Sequence, residues 1–161
     1  MITLYTDGSS QGNPGPGGYA AILIYDGHTK ELVGAYQKTT NNRMELMAVI
    51  VGLESIKKMG QQVKVYSDSR YIVDAVNRGW LRGWLNRGFV QKKKRIKNKD
   101  LWLRFWQVYQ AHEVELGWIE GHAGHVGNER CDFLAVQAAQ KGPWQEDVGY
   151  MQENRLQFKL F

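Results

Sequence analysis

The sequence predicts a mixed α/β fold in one domain, on the basis of its length and of two successive residue patterns. A chain of 161 residues is long enough to bury one self-sufficient core. Its first forty residues contain β-branched and aromatic runs separated by short turns, which is typical of an antiparallel meander. Apolar residues then recur at helical spacing, and helices alternate with short strands. This second pattern favours parallel pairing within the same sheet.

Three strands are predicted before the first helix. Residues 2–6 form the first strand, and a turn rich in glycine and proline leads to a second at 19–25. Asp26 and Gly27 are typical of a tight hairpin, which places the third strand at 31–37. Because the connections are short, we expect these strands to pair in an antiparallel order.

Helices and strands alternate over the rest of the chain. The helix predicted at 42–59 has apolar residues at helical spacing, and Gly60 ends it. A loop rich in glycine and histidine begins at Gly121. Residues 78–99 contain glycines that alternate with aromatic residues, followed by a basic cluster, and predict no regular element. The final twenty residues have no clear hydrophobic period. The remaining predicted elements are strands at 63–67 and 114–119, and helices at 69–77, 101–111 and about 128–140.

The distribution of charge indicates a polyanionic partner more strongly than the formal net charge of +5 does. Six cations fall within residues 92–99, close to two tryptophans that lie one helical turn apart. The single cysteine, Cys131, excludes an intramolecular disulfide bond. We see neither a signal-peptide pattern nor an apolar run as long as a membrane span. We therefore expect a cytoplasmic protein.

Four acidic residues stand where strands end or helices begin: Asp7, Glu45, Asp68 and Asp132. Each also has a local explanation as a turn cap, a capping box with Asn42, a helix N-cap or a partner of the helix dipole. In an α/β sheet, however, the carboxyl ends of strands and the starts of helices share one edge, where all four carboxylates can converge. Such hard oxygen ligands suit Mg²⁺ or Mn²⁺ ions that act on phosphate.

Five strings of residues, in order along the chain to about residue 150, resemble type 1 ribonuclease H of the bacterial kind. They read TDGSSQGNPGPGGYAAIL, TTNNRMELMAVIVGLE, YSDSRYIVDAVN, KNKDLW and GHAGHVGNERCDFLA. The resemblance implies a ribonuclease H-like fold, a five-stranded mixed sheet with helices on both faces. It also implies endonucleolytic hydrolysis of the RNA strand of RNA–DNA hybrids by two metal ions, leaving 5′-phosphate and 3′-hydroxyl ends.

The same resemblance implies roles for individual residues. The four carboxylates would hold two Mg²⁺ ions when substrate is present, with Mn²⁺ as a substitute, and His122 would assist the attacking water or the departing product. A solvent-exposed loop histidine is the alternative for His122. We interpret His125 as structural, and we expect His28 and His112 at the surface. The sequence departs from the family at Arg70, where a glutamine is expected.

Two segments are expected to contact the hybrid. The turn after the first strand resembles the family's minor-groove contact, and residues 78–99 resemble its basic protrusion. Each segment also has an alternative interpretation. The alternative for the first is a plain tight turn, and the alternative for the second is a solvated face of charges with the tryptophans packed in the core. The expected contact residues are Gly8, Ser9, Gly12, Asn13, Asn42, Trp80, Trp84, Arg87, Lys92, Lys93, Lys94 and Arg95.

We expect residues 1–145 to form the catalytic domain of a monomer and residues 146–161 to form a C-terminal tail. The last five residues resemble the peptide by which bacterial replication proteins dock on the sliding clamp, through Gln157, Leu160 and Phe161. The alternative is that these apolar residues fold back onto the domain.

Two other functions fit the same fold. One is a non-catalytic module that binds hybrids through its basic face, and the other is a different reaction of the superfamily, as in resolvases or integrases. Retention of all four acids argues against the first, because crowded carboxylates without a role would destabilise the fold and repel phosphate. The length of the family strings argues against the second.

Overall fold

The computed structural model describes residues 1–158, with side chains to residue 155, and a mixed β-sheet forms its centre. The strands are β1 (Ile2–Ser10), β2 (Gly15–Tyr25), β3 (His28–Thr39), β4 (Gln62–Ser67), β5 (Val90–Gln91), β6 (Lys94–Arg95), β7 (Glu113–Trp118) and β8 (Trp144–Gln145). The helices are α1 (Asn41–Glu54), α2 (Arg70–Asn77), α3 (Trp80–Asn86), α4 (Lys99–Gln110), α5 (Val126–Lys141) and α6 (Val148–Phe158).

The pairing of the strands confirms the predicted mixed α/β fold. The order across the main sheet is β7-β4-β1-β2-β3-β8. Antiparallel pairing of β2 with both β1 and β3 forms the expected meander, while β4 pairs in parallel with β1 and β7 pairs in parallel with β4. The main sheet of the described residues thus has six strands rather than the five expected. The additional strand, β8, has only two residues and adds to the edge at Ala35 and Tyr36.

Several predicted boundaries are wrong, and β2 and β3 for example are both longer than expected. The first strand continues through residues 8–10, which were expected in the turn, because these residues pair with residues 17–19 of β2. The first helix ends at Glu54 rather than at residue 59. There the Ser55 hydroxyl donates a hydrogen bond to the Gly52 carbonyl at 2.7 Å, which closes the last turn of the helix.

Two segments without a clear pattern have regular structure. Residues 78–99 contain the short helix α3 and a separate hairpin made by β5 and β6. Residues 148–158, within the predicted tail, form α6. The predicted tail residues Leu160 and Phe161, and the side chain of Gln157, lie outside the described residues. His112 was expected at the surface but is buried, and its Nδ1 accepts a hydrogen bond from the Gln61 amide at 3.2 Å.

Helices cover both faces of the sheet, as the sequence predicted. The larger core lies against α1, α2 and α4 and includes Leu4, Val65 and Phe105. The smaller core forms where Ala20 and Ile22 of β2 meet one side of α5. Along the described chain, no helix combines the length and the apolar character needed to cross a bilayer.

A buried arginine joins three helices. Arg43 of α1 is 1% exposed, and its guanidinium donates to Asp100 of α4 at 2.7 and 2.8 Å. It also donates to Asp147, the residue before α6, at 2.8 and 2.9 Å. Burial lowers the pKa of Arg43, but the hydrogen bonds to these carboxylates outweigh that effect and raise it above its ordinary value. The beginning of α6 is therefore fixed to the domain by a buried ion pair.

Candidate active site

Three of the four predicted acids meet at one edge of the sheet. Asp7 lies in β1 just beyond the last pair that β1 forms with β4, Tyr5 with Tyr66. Asp68 follows the end of the parallel strand β4, and Glu45 lies in the first half of α1. One carboxylate oxygen from each of Asp7, Glu45 and Asp68 lies within 4.8 Å of the other two. The parallel pairing of β1 with β4 therefore produces the expected convergence.

The contact between Asp7 and Glu45 depends on the glycine between β1 and α1. A Cβ atom at Gly8 would overlap the backbone of Met44 and Glu45, so only glycine lets the helix lie this close to the strand. The Gly8 amide donates to Asp7 Oδ1 at 2.9 Å and to Glu45 Oε1 at 3.0 Å. This one backbone N–H thus holds both carboxylates side by side.

The local explanations for Glu45 and Asp68 are wrong. The N-cap of α1 is Thr40, whose hydroxyl accepts a hydrogen bond from the Arg43 amide at 3.3 Å. The N-cap of α2 is Ser69, whose hydroxyl accepts from the Ile72 amide at 3.4 Å. Hydroxyl side chains cap both helices, so neither carboxylate is needed for capping.

Burial and mutual repulsion leave the carboxylates poorly stabilised as anions. Burial raises the pKa of Asp7 to about 7, and the charges of Asp68 and Asp132 contribute to this rise. Burial and the charge of Asp7 raise the pKa of Glu45 well above its ordinary range. The fourth acid, Asp132, is half-buried on α5 and is not one of the three clustered carboxylates, although its charge adds to the rise in the pKa of Asp7. Burial thus favours the protonated forms of Asp7 and Glu45.

The donor set suits a divalent cation. Glu45 Oε2 is buried and has no hydrogen-bond partner among the described residues. A buried carboxylate oxygen without a donor is costly unless a cation binds it. Carboxylate oxygens are the ligands that Mg²⁺ and Mn²⁺ prefer, whereas a zinc site would use cysteine or histidine, which this cluster lacks. The chemistry of these residues therefore fits the expected ion.

The glycine-rich turn is tied to the start of α1 by a residue that the sequence analysis missed. Asn41 Oδ1 accepts hydrogen bonds from the amide and the hydroxyl of Ser10, at 2.8 and 3.0 Å. The Asn41 amide donates to Asn13 Oδ1 at 3.1 Å. The neighbouring Asn42 is exposed, as is Gly12. These bonds hold the turn beside the acid cluster.

The basic residues of the predicted protrusion lie on the hairpin of β5 and β6. Lys92 and Lys93 form its tip with positive φ angles of 50° and 65°, and the next two cations lie on β6. All the basic side chains from 92 to 95 are exposed, as is Arg87. Their separation from the core makes them available to a polyanion.

The two tryptophans of α3 have different environments. Trp80 is 43% exposed, whereas Trp84 is half-buried against the core. The Trp84 ring meets the buried ring of Trp102 in an edge-on contact, with centroids 5.7 Å apart. Core packing was the alternative considered for both tryptophans. It applies to Trp84, whereas Trp80 is exposed.

The predicted histidine lies in the loop that borders Asp68. His122 is exposed and has a positive φ angle of 58°. Its neighbour Gly121 passes so close to the Asp68 carboxylate that an added Cβ would lie 2.7 Å from Oδ2. His125 precedes α5, and its side chain makes no capping hydrogen bond. The loop therefore brings His122 to the edge of the acid cluster.

Comparison with known proteins relates the chain to one family. The model of the RNase H family matches residues 1–140. A ribonuclease H from Desulforamulus reducens is 50% identical over 141 residues, which cover 87% of this chain and 88% of that protein. A ribonuclease H from Trichodesmium erythraeum is 50% identical over 150 residues, covering 92% and 95% of the two chains.

Solved structures give the same relationship. LC9-RNase H1, described as a type 1 RNase H with the type 2 active-site motif, superposes with a TM-score of 0.77 at 37% identity, over 86% of this chain and 72% of that one. The structure of LC11-RNase H1 in complex with an RNA/DNA hybrid superposes with a TM-score of 0.66 at 27% identity, over 88% and 98% of the two chains.

The raised pKa of Asp7 has a measurable effect on stability. An unfolded aspartate titrates near pH 3.9, so the folded protein holds the extra proton between that pH and about 7. Folding stability is therefore lost as the pH rises through this range. In a buffer with a metal chelator, we expect Asp7→Asn to stabilise the protein by roughly 4 kcal/mol at pH 8 and by less than about 1 kcal/mol at pH 4.

Urea unfolding at the two pH values measures this difference. Asp26→Asn is the matched control. Asp26 is exposed in the turn between β2 and β3, at the end of β2 that is remote from Asp7. Equal effects of Asp7→Asn at both pH values would contradict the assignment of a raised pKa.

Proposed function

Because the chain belongs to the ribonuclease H family, we propose that its four predicted acids hold the metal ions that cleave the RNA strand of an RNA–DNA hybrid. The chain is an endoribonuclease of this family, and the family requires a metal. The observation that supports the proposed site is the convergence of Asp7, Glu45 and Asp68, with one buried Glu45 oxygen left without a partner among the described residues. Asp132 of α5 is proposed as the fourth ligand, and the effect of its charge on the pKa of Asp7 supports this assignment.

Two Mg²⁺ ions held by these carboxylates would activate the attacking water and stabilise the leaving 3′ oxygen, and Mn²⁺ would serve as a substitute. The protein's own contribution is to hold the acids in place. Gly8 orients Asp7 and Glu45 through its amide, and the end of β4 presents Asp68. Ion binding is expected to release protons, because burial favours the protonated forms of Asp7 and Glu45.

His122 is proposed to assist proton transfer rather than to bind metal. An imidazole exchanges protons near neutral pH, and the exposed loop position of His122 lets its ring approach the attacking water or the departing product. The enzyme is therefore expected to retain its metal ions without His122 and to turn over more slowly.

The hybrid is proposed to lie across the turn and the hairpin. The turn at Gly12 and Asn13 offers backbone groups and a side chain to the minor groove, where the 2′-hydroxyls of the RNA strand are displayed. The exposed cations at 92–95 and the half-exposed Trp80 would contact the phosphates and sugars of the DNA strand. A related protein, LC11-RNase H1, has been solved with an RNA/DNA hybrid.

Removing one carboxylate tests the proposed metal site. We expect Asp7→Asn and Asp68→Asn each to lower turnover at least about a thousandfold, because several kcal/mol of charge stabilisation is lost with the ions. Hybrid binding should remain, since cations and groove contacts supply most of it. His122→Ala should lower kcat only about 10- to 100-fold.

Cleavage of a labelled hybrid at saturating Mg²⁺, with binding measured separately, distinguishes these outcomes. Asp74→Asn is a control from the same region, because Asp74 lies on α2 and pairs with Arg78, the residue that caps the same helix. Normal turnover of both acid variants would overturn the site, and a loss in His122→Ala as deep as theirs would overturn its assisting role.

The hairpin cations are tested by salt dependence. Replacing Lys92, Lys93 and Lys94 with alanine should raise KM and lower the slope of log affinity against log salt concentration by about one unit for each phosphate that a lysine no longer binds. A triple alanine variant of the exposed residues Lys30, Lys57 and Lys58 changes the net charge equally and is the control. An unchanged slope in the hairpin variant would place these lysines away from the nucleic acid.

The replication sliding clamp is proposed as a second partner. The last five residues support this, because they resemble the peptide by which bacterial replication proteins dock on the clamp. Gln157, Leu160 and Phe161 would supply the glutamine and the apolar side chains of the docking peptide. A clamp tether would suit an enzyme that removes RNA close to replication forks.

Deletion of residues 157–161 tests this tether. It should abolish recovery of the protein on immobilised clamp while hybrid cleavage and Tm stay unchanged. A large fall in Tm, with no clamp binding by the parent protein, would show instead that these residues pack onto the domain.

A further inference from the structure

Arg70 lies over an aromatic ring at the edge of the acid cluster. Its guanidinium carbon is 3.9 Å from the centre of the Trp118 ring, a close cation–π contact. Trp118 is the last residue of β7, and Arg70 is the first residue of α2. Because β7 pairs in parallel with β4, its end lies at the edge of the sheet where Asp68 is presented.

The same tryptophan is bonded to the residue that carries the acid. Its indole Nε1 donates to the backbone carbonyl of Asp68 at 3.1 Å. Trp118 therefore fixes the position of Asp68 on one side and supports Arg70 on its ring. Only Ser69 lies between Asp68 and Arg70 along the chain, so the Cα atoms of these two residues lie within about 7 Å of each other.

Arg70 has no acidic partner among the side chains that the structure describes. Some exposed arginines pair with carboxylates, as Arg104 does with Glu54 and Arg130 with Glu31. Arg70 instead resembles the exposed Arg82, Arg87 and Arg95, which form no ion pair within the described residues. Arg70 also occupies the first turn of a helix, where the helix dipole disfavours a cation. Neither a local ion pair nor the helix explains the charge, so its exposed N–H groups are available to an external anion.

We propose that Arg70, supported by Trp118, binds a phosphate of the cleaved RNA strand next to the scissile phosphate and so contributes to substrate affinity. A guanidinium presents paired in-plane N–H donors that match phosphate oxygens, and the indole holds that plane in advance of binding. The position beside Asp68 directs it to the strand that the acids cleave. This assignment rests on the proposed role of Asp68 at the scissile phosphate.

Replacement of Arg70 separates this role from catalysis. We expect Arg70→Gln to raise KM about fivefold, with kcat changed less than twofold, and to lower the log–log salt slope of hybrid binding by about one unit. Binding is measured in a metal chelator, so that the result does not depend on the metal ions. The two proposals can fail separately. Normal turnover of Asp68→Asn would contradict the metal site, whereas the salt dependence of hybrid binding by Arg70→Gln tests the phosphate contact alone.

Two further variants test the geometry. Arg70→Lys keeps the charge but not the planar fork, so the salt slope should be nearly retained while affinity falls about two- to threefold. Trp118→Leu should weaken binding in the parent protein but add little to Arg70→Gln, since both changes remove the same interaction with phosphate.

Arg130→Gln is the matched control, because Arg130 is also exposed and lies over a ring, Phe133, but is bonded to Glu31. It should leave the KM and the slope unchanged. Parent-like KM and salt slope in Arg70→Gln would overturn the proposal, and so would an equal loss in Arg130→Gln.

Discussion

The direct contact between α1 and the backbone of Gly8 is the constraint on which the rest of the site depends. Because residue 8 has no Cβ, the first half of the helix lies against β1 and the Gly8 amide reaches Glu45 as well as Asp7. A larger side chain would move the helix away and separate the two carboxylates. The same contact places the other side of α1 toward α4 and α6, where Arg43 is buried.

The two charged residues near the start of α1 are in opposite electrostatic situations. Arg43 is buried but fully paired, since Asp100 and Asp147 each accept two of its hydrogen bonds. Glu45, two residues later, is buried with one oxygen that has no partner in the described part of the chain. Buried charges are tolerated when they are paired, and breaking such a pair is strongly destabilising. The Arg43 ion pairs thus anchor the helix, while Glu45 keeps a ligand atom available for a cation.

The arrangement of charge around the acids follows from the topology of the sheet. The parallel strands β1, β4 and β7 end at one edge, which brings together Asp7, Asp68 and Trp118. The exposed cations at residues 92–95 lie on the separate hairpin of β5 and β6, and the exposed Arg70 lies over Trp118. These cations add positive potential without forming ion pairs with the clustered carboxylates. The proposed function thus assigns attraction of the nucleic acid and its cleavage to different parts of the surface.

Local pattern was sufficient to predict the meander and the alternation of later helices and strands, because each depends on neighbouring residues. Together with strings typical of a family, it also singled out the three carboxylates that meet, Asp7, Glu45 and Asp68. It did not predict α6, whose docking relies on Asp147 meeting Arg43 from more than a hundred residues away. Asn41 and Trp118 were also missed, because their significance arises from contacts with Ser10, Asn13 and Asp68 across separate elements. Residue types and the family resemblance predicted which groups would carry the chemistry. Only the tertiary structure decided which carboxylates meet and which described cations are exposed, because these properties depend on burial and on distances between elements remote in sequence.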